Sequence, residues 1–115
     1  MFNWFKKKQA GPDFSTLDSR SKIQAAAGAG HLVPLLLMPE EFGGHAVEVN
    51  TVFVPSWAAD EKRRIDIGVI VPLAQEGKIS RYTAEPIYKG SSFVPSKVVI
   101  RASDPTEFYA TVEIW

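Results

Sequence analysis

The sequence predicts an α+β fold, mainly an antiparallel sheet of about six strands with one short N-terminal helix. Two observations favour this class. After Gly30, apolar residues alternate with polar ones over several segments, as in strands with one buried face. Before Gly30, one stretch has the composition and the flanking residues of a helix. A small β-barrel or β-sandwich is the alternative fold.

The helix is predicted to end at Gly28 and Gly30, because glycine accepts the left-handed conformation at a helix end. Residues 22–27 favour helix by intrinsic propensity. Three residues with short side-chain oxygens could cap its first turn: Ser15, Thr16 and Asp18. Few apolar side chains fall on one face, so we expect a short helix that lies against a sheet.

The predicted strands cover residues 32–38, 45–54, 64–73, 78–89, 97–103 and 107–114. The strand over 64–73 has the cleanest alternation, with Ile65, Ile67 and Val69 on one side. Turns are predicted at 39–44, at 75–77 and at Asp104-Pro105, where proline presets the backbone angle. Short connections of this kind favour sequential antiparallel pairing.

Four Val-Pro pairs recur along the chain, with their prolines at Pro34, Pro55, Pro72 and Pro95. They alternate between Val-Pro-Leu and Val-Pro-Ser, which is one sign of a duplicated two-strand unit. The other interpretation is that valine favours strands and proline favours their ends. The sequence alone leaves both interpretations open.

Size and composition indicate one globular domain. The chain has 115 residues, of which 45% are hydrophobic and 23% are charged, and these values are typical of a single folded unit. We expect a single β-rich domain over residues 13–115, preceded by a flexible aromatic and basic segment over residues 1–12. Without a run of about 20 apolar residues or a secretory signal, a cytoplasmic location is expected.

Charge and cysteine content exclude several kinds of site. The 13 basic and 13 acidic side chains cancel, whereas proteins that bind a nucleic-acid backbone usually carry a basic excess. Nucleic acid is therefore not the expected partner. The absence of cysteine excludes disulfides, thiolate metal sites and a cysteine nucleophile. No cofactor is expected, since no phosphate-binding or dinucleotide-binding motif is present.

The N-terminal segment is the most unusual feature of the sequence. Its aromatic residues Phe2, Trp4 and Phe5 lead directly into Lys6, Lys7 and Lys8. Aromatic rings followed by lysines suit the interface of an anionic membrane, although this contact would be weak. The same aromatic side chains could instead pack on the domain or on a second copy.

Two histidines are the first candidates for chemistry, because histidine is the usual proton shuttle and metal ligand. His31 and His45 lie in glycine-containing segments, with Glu40 and Glu41 between them. This spacing matches no metal-binding pattern, so two loop histidines are the simpler interpretation. A basic cluster beginning at Lys62 is preceded by acidic residues, which indicates a solvated surface.

We expect a non-enzymatic binding or interaction module, such as an adaptor, an inhibitor or an immunity-type protein. Exposed Trp57, Tyr109 or Trp115 could anchor a protein partner, as large aromatic side chains often do. An open sheet edge could also pair two copies into a homodimer. The alternative is a small enzyme or ligand-binding fold, with a site assembled from distant residues: His31, His45, Tyr82 and Glu85.

Overall fold

The computed structural model describes residues 12–115. In chain order these residues form helix α1 (Arg20–Gly28), strands β1 (Val33–Leu36) and β2 (Thr51–Val54), helix α2 (Ser56–Ile65), a π-helical turn (Asp66–Ile70), helix α3 (Val71–Gln75) and strands β3 (Arg81–Ile87), β4 (Lys97–Ser103) and β5 (Phe108–Glu113). The five strands of this part of the chain make two antiparallel sheets, β1-β2 and β3-β4-β5. The α+β class is thus confirmed, but one sheet of about six strands with one short N-terminal helix is not, because the strands form two sheets and residues 56–75 add further helices. The predicted segment 1–12 lies outside the described residues except for Pro12.

Helix α1 is the predicted N-terminal helix, although its cap differs from the three expected residues. The Ser19 side chain accepts a hydrogen bond from the Lys22 amide at 3.2 Å and so satisfies one free donor of the first turn. The helix stops before Gly30, which has a φ of 85°. Only Ile23 is buried on α1 itself, so this short helix contacts the rest of the domain through a narrow apolar stripe.

Strands β1 and β2 form a hairpin in which Leu35 pairs with Val52. The predicted strand over 45–54 is only partly correct, because residues 45–47 belong to no strand and Glu48–Asn50 form a 3-10 turn. Asn50 explains the difference. Its side-chain amide donates to the carbonyls of Met38 and His45 at 2.9 and 3.1 Å, and such side-chain bonds compete with strand pairing.

Residues 56–75 are helical, so the predicted strand over 64–73 is wrong. Side chains at intervals of four residues are buried along one face of this segment: Ala58, Lys62, Asp66 and Ile70. Two of these four positions carry charge, which hides the helical period in the sequence. Ile67 and Val69 appeared to be core residues of a strand, but they are 36% and 38% exposed.

The π-helical turn lies directly before a proline. The Val71 amide donates to the carbonyl of Asp66, five residues back. The next residue, Pro72, has no amide hydrogen, and its ring would crowd the carbonyl of Gly68 in a regular α-helix. The wider turn therefore lies where α-helical hydrogen bonding would be interrupted in any case.

The three-stranded sheet agrees closely with the sequence prediction. Strand β4 covers the predicted residues 97–103, and β5 lies inside the predicted 107–114. Alternate residues of β4 are buried on the inner face: Val98, Ile100 and Ala102. This inner face, β2 and the helical residues Ala58 and Ile70 together enclose the main core.

A second, smaller core lies under α1 and contains Ile23, Leu32 and Val94. Phe14 packs against both cores and joins them. No helix within residues 12–115 is long and apolar enough to span a bilayer.

The four Val-Pro pairs occupy unlike settings, so the structure does not support a duplicated unit. Pro34 is in a strand, Pro55 caps helix α2, Pro72 is inside a helical segment and Pro95 precedes β4. A duplication would have placed Pro34 and Pro72 in equivalent elements.

Candidate functional site

Helix α2 and strand β3 share a buried polar network of Lys62, Asp66 and Tyr82. The Lys62 ammonium donates to Asp66 Oδ2 at 2.5 Å and to the Tyr82 hydroxyl at 3.0 Å. The Tyr82 hydroxyl donates to Asp66 Oδ1 at 2.7 Å and lies 3.4 Å from the Leu37 carbonyl oxygen. Lys62 and Asp66 are only 1% and 3% exposed. The network therefore connects the helix to β3 and to the end of the β1 segment.

Burial shifts the pKa of two members of this network, Lys62 and Tyr82. Desolvation lowers the pKa of Lys62, while the hydrogen bond and the charge of Asp66 oppose that change. Desolvation, together with the hydrogen bond to Asp66, raises the pKa of Tyr82 far above its usual range. A catalytic tyrosine that acts as a base or nucleophile needs the opposite shift. Tyr82 keeps its proton and serves as a hydrogen-bond donor.

The network also lacks a free polar group. In residues 12–115, every buried side-chain nitrogen and oxygen has a hydrogen-bond partner. A cavity of about 230 Å³ borders Lys62 and Asp66, and Arg63 near it is paired with Glu41 at 2.7 Å. The volume is below the range usual for ligand pockets. We interpret the Lys62–Asp66–Tyr82 network as a structural connection.

A groove larger than the cavity at Lys62 lies beside α1. It has a volume of about 540 Å³, which lies within the range of small-molecule pockets. We call it the α1 groove. Three segments line it, namely the N-terminal half of α1, residues 48–53 and residues 88–93. Its floor is apolar and includes Ile23, Val52 and Phe53.

Exposed aromatic side chains stand at the edge of the α1 groove. Tyr88 and Phe93 are 46% and 49% exposed. Val47 and Val49 flank the lining residue Glu48 and are 51% and 90% exposed. Thus three of the eight large exposed hydrophobic residues in the described chain, Val49, Tyr88 and Phe93, belong to the segments that form this groove, and Val47 directly precedes one of them.

The polar part of the groove is electrically balanced. The Arg20 guanidinium pairs with the Glu48 carboxylate across the opening, and both side chains are exposed. Because these charges cancel, the groove has no strong preference for an anion or a cation. Its apolar floor is the dominant feature.

Hydrogen bonds fix the wall formed by residues 88–93. The Ser92 hydroxyl donates to the Phe14 carbonyl at 2.7 Å and accepts from the Val94 amide at 3.0 Å. The Phe93 amide donates to the Leu17 carbonyl at 2.7 Å. These bonds hold Phe93 in place at the groove while its ring remains half exposed.

The predicted aromatic anchors lie in three different settings. Trp57 is in the first turn of α2 and is 44% exposed. Tyr109 is 60% exposed on the outer face of the sheet, with the Arg101 guanidinium carbon 5.3 Å from its ring centroid. Trp115 is partly buried, because its indole N–H donates to the Val94 carbonyl at 3.1 Å and its ring packs edge-on against Phe14. The six N-terminal candidates lie outside the described residues.

The four residues of the alternative enzyme site are not brought together. Tyr82 faces the helix, whereas Glu85 lies on the opposite face of β3 and pairs with Arg101 at 3.6 Å. His31 and His45 are both exposed, in the loops after α1 and before β2. The described chain contains no cluster of three histidine, aspartate or glutamate side chains that could hold a metal ion.

Sequence reasoning missed both sites that the structure shows. The buried network had one local signal, the spacing of four residues from Ala58 through Lys62 and Asp66 to Ile70. The α1 groove had none, because its walls come from three separate segments. Comparison of the chain with protein-family models, curated proteins and solved structures gives no match in any of the three.

Proposed function

We propose that this protein is a non-enzymatic binding module whose α1 groove takes up an apolar, aromatic-bearing segment of a partner protein. The observation that carries this proposal is the open apolar groove with two half-exposed aromatic side chains, Tyr88 and Phe93, at its edge. Concave and mostly apolar surfaces of this volume are the usual location of ligand-binding sites. An adaptor or inhibitor would use such a groove to hold its target.

The lining favours side-chain recognition over binding of a charged ligand. Phe53, Val52 and Ile23 offer apolar contact, and Tyr88 and Phe93 offer ring faces for edge-on or offset stacking. The Arg20–Glu48 pair supplies a polar rim, which in protein interfaces surrounds the buried contact and excludes water from it. An aromatic side chain of the partner would contact both the apolar floor and the aromatic rings at the edge of the groove.

A titration with indole, the side-chain fragment of tryptophan, tests the groove directly. Indole added to the full chain should shift the amide resonances of groove residues such as Thr51, Ser91 and Ser92 in two-dimensional NMR spectra. The variant Phe93→Ala removes one ring from the wall and should weaken binding about fivefold, since a lost aromatic contact is worth about 1 kcal/mol. The matched control Tyr109→Ala removes an exposed aromatic ring on the outer sheet face and should leave binding unchanged.

The titration is repeated on the full chain with Phe2→Ala, Trp4→Ala and Phe5→Ala, so that the N-terminal aromatic side chains do not compete for the groove. Indole shifts that map to the outer sheet face, or the absence of shifts in both proteins, would show that the groove does not recognise aromatic groups. In that case the proposed function is wrong.

A further inference from the structure

The described chain begins next to the α1 groove. Phe14 and Leu17 pack on the smaller core, which also contains the groove residue Ile23. Their carbonyl oxygens accept hydrogen bonds from the groove-wall residues Ser92 and Phe93, both at 2.7 Å. The described part of the chain therefore begins at the wall of the groove.

We propose that the chain's own N-terminal segment, residues 1–8, occupies the α1 groove through Phe2, Trp4 and Phe5 and thereby competes with the partner. This inference rests on the proposed function, because it assigns an internal occupant to the same groove. The occupant and the partner then share one chemistry, apolar aromatic side chains.

The length of the intervening chain allows this contact. Nine positions separate Phe5 from Phe14, and an extended chain covers about 3.3–3.6 Å per residue, so Phe5 can reach about 30 Å from Phe14. The groove wall is within hydrogen-bond distance of Phe14. Gly11-Pro12 lies between the two ends, and this pair of residues favours a change of chain direction.

Chemistry and charge also match the segment to the domain. The three aromatic side chains are apolar, like the groove floor, and they are followed by three lysines. The first acidic residue of the chain is Asp13, so residues 12–115 hold ten basic and 13 acidic side chains and a formal net charge of −3. A segment with a side-chain charge of +3 is therefore attracted to the remainder of the chain.

The covalent connection makes even a weak contact effective. A short tether keeps its end at a local concentration in the millimolar range, so a millimolar intrinsic affinity is enough to occupy the groove much of the time. A partner must displace the segment. If the segment fills the groove nine-tenths of the time, its removal raises the apparent affinity for a competitor about tenfold.

A nitroxide label at the groove tests whether the segment is there. The chain has no cysteine, so Ser91→Cys provides one labelling position at the exposed edge of the groove. In the full chain this label should broaden the amide resonances of Phe2, Trp4 and Phe5. The control label, Gln75→Cys, is exposed at the end of α3 and should leave those resonances sharp.

A mixing experiment distinguishes binding within one molecule from binding between two. Isotope-labelled chains without cysteine are mixed with unlabelled chains that carry the nitroxide at Ser91→Cys. Broadening of the N-terminal resonances in this mixture would place the segment in the groove of a second copy and would overturn the proposal. So would sharp N-terminal resonances when isotope and nitroxide are on the same chain.

Failure of this inference is separable from failure of the proposed function. Sharp N-terminal resonances together with indole binding at the groove would leave the binding module intact and remove only its internal occupant. Absence of indole binding, even after the three alanine substitutions, would remove the binding module itself. Binding of residues 1–8 to anionic phosphatidylserine vesicles with a sharp Ser91→Cys spectrum would also contradict the internal contact.

Discussion

Lys62 and Asp66 occupy helix positions that are ordinarily apolar, because both face the core beside Ala58 and Ile70. Removing two charges from water is costly, and their attraction offsets that cost only when geometry and additional hydrogen bonds are favourable. Here the Tyr82 hydroxyl supplies the additional bonds. We therefore expect the pair to determine the position of α2 on β3 rather than to add to the free energy of unfolding.

At the residue scale, the replacement Asp66→Asn should lower the free energy of unfolding by about 3–5 kcal/mol, because it leaves the Lys62 ammonium buried without a countercharge. The double variant Lys62→Met, Asp66→Leu should regain most of that loss, since no buried charge remains. Urea denaturation of the full chain measures both effects.

Arg63→Ala is the matched control for this pair, because Arg63 forms an exposed ion pair with Glu41. Its loss should change the free energy of unfolding by less than about 1 kcal/mol. Equal effects of Asp66→Asn and Arg63→Ala would mean that the polar network is not buried in solution.

At the scale of elements, the main error of sequence analysis concerns residues 56–75. The alternation of Ile65, Ile67 and Val69 predicted a strand, but in the structure all three residues lie in a helical segment that includes the π-helical turn. The strands β4 and β5 were predicted well, because their pattern lies within single short segments between clear turns. A helix whose buried face includes Lys62 and Asp66 gives no comparable hydrophobic signal.

The glycine at position 68 provides a direct test of this helix. Gly68 is exposed, and an added Cβ would meet no atom within 4 Å. Since glycine weakens a helix relative to alanine, Gly68→Ala should raise the free energy of unfolding by about 0.5–1 kcal/mol. Thermal unfolding, followed by circular dichroism, measures the change.

Gly44→Ala is the comparison, because its Cβ would lie 1.8 Å from the Met38 carbonyl oxygen. That variant should be clearly destabilised. If Gly68→Ala lowers the melting temperature as well, residue 68 is not helical in solution and the strand interpretation regains support.

At the scale of the whole molecule, the notable feature is that positive and negative charges are unevenly distributed along the chain. A formal net charge of zero conceals a domain of −3 and an N-terminal segment of +3. Interactions between exposed charges weaken as salt rises, since the screening length falls from about 30 Å at 0.01 M to about 3 Å at 1 M. Docking of the segment should therefore depend on ionic strength.

Nitroxide broadening from Ser91→Cys should thus decrease between low and high sodium chloride. With Lys6→Gln, Lys7→Gln and Lys8→Gln, broadening should be weaker at low salt and nearly independent of salt. The aromatic residues are retained in this variant, so it separates charge from apolar contact. Unchanged broadening in wild type across the salt range would mean that charge does not hold the segment in place.

The sequence by itself determined the features that depend on neighbouring residues. These are the α+β class, the helix that ends before Gly30, and the strands around 97–103 and 107–114. Turn residues, glycine stops and strict alternation act within a few positions, so they can be recognised along the chain.

Only the tertiary structure decided the features that join distant segments. Lys62 and Asp66 are buried on a helix with their hydrogen bonds satisfied because Tyr82, 16 positions after Asp66, contacts both of them. The α1 groove exists because α1, residues 48–53 and residues 88–93 meet at one place. Burial and concavity are properties of packed elements, and no local pattern contains them.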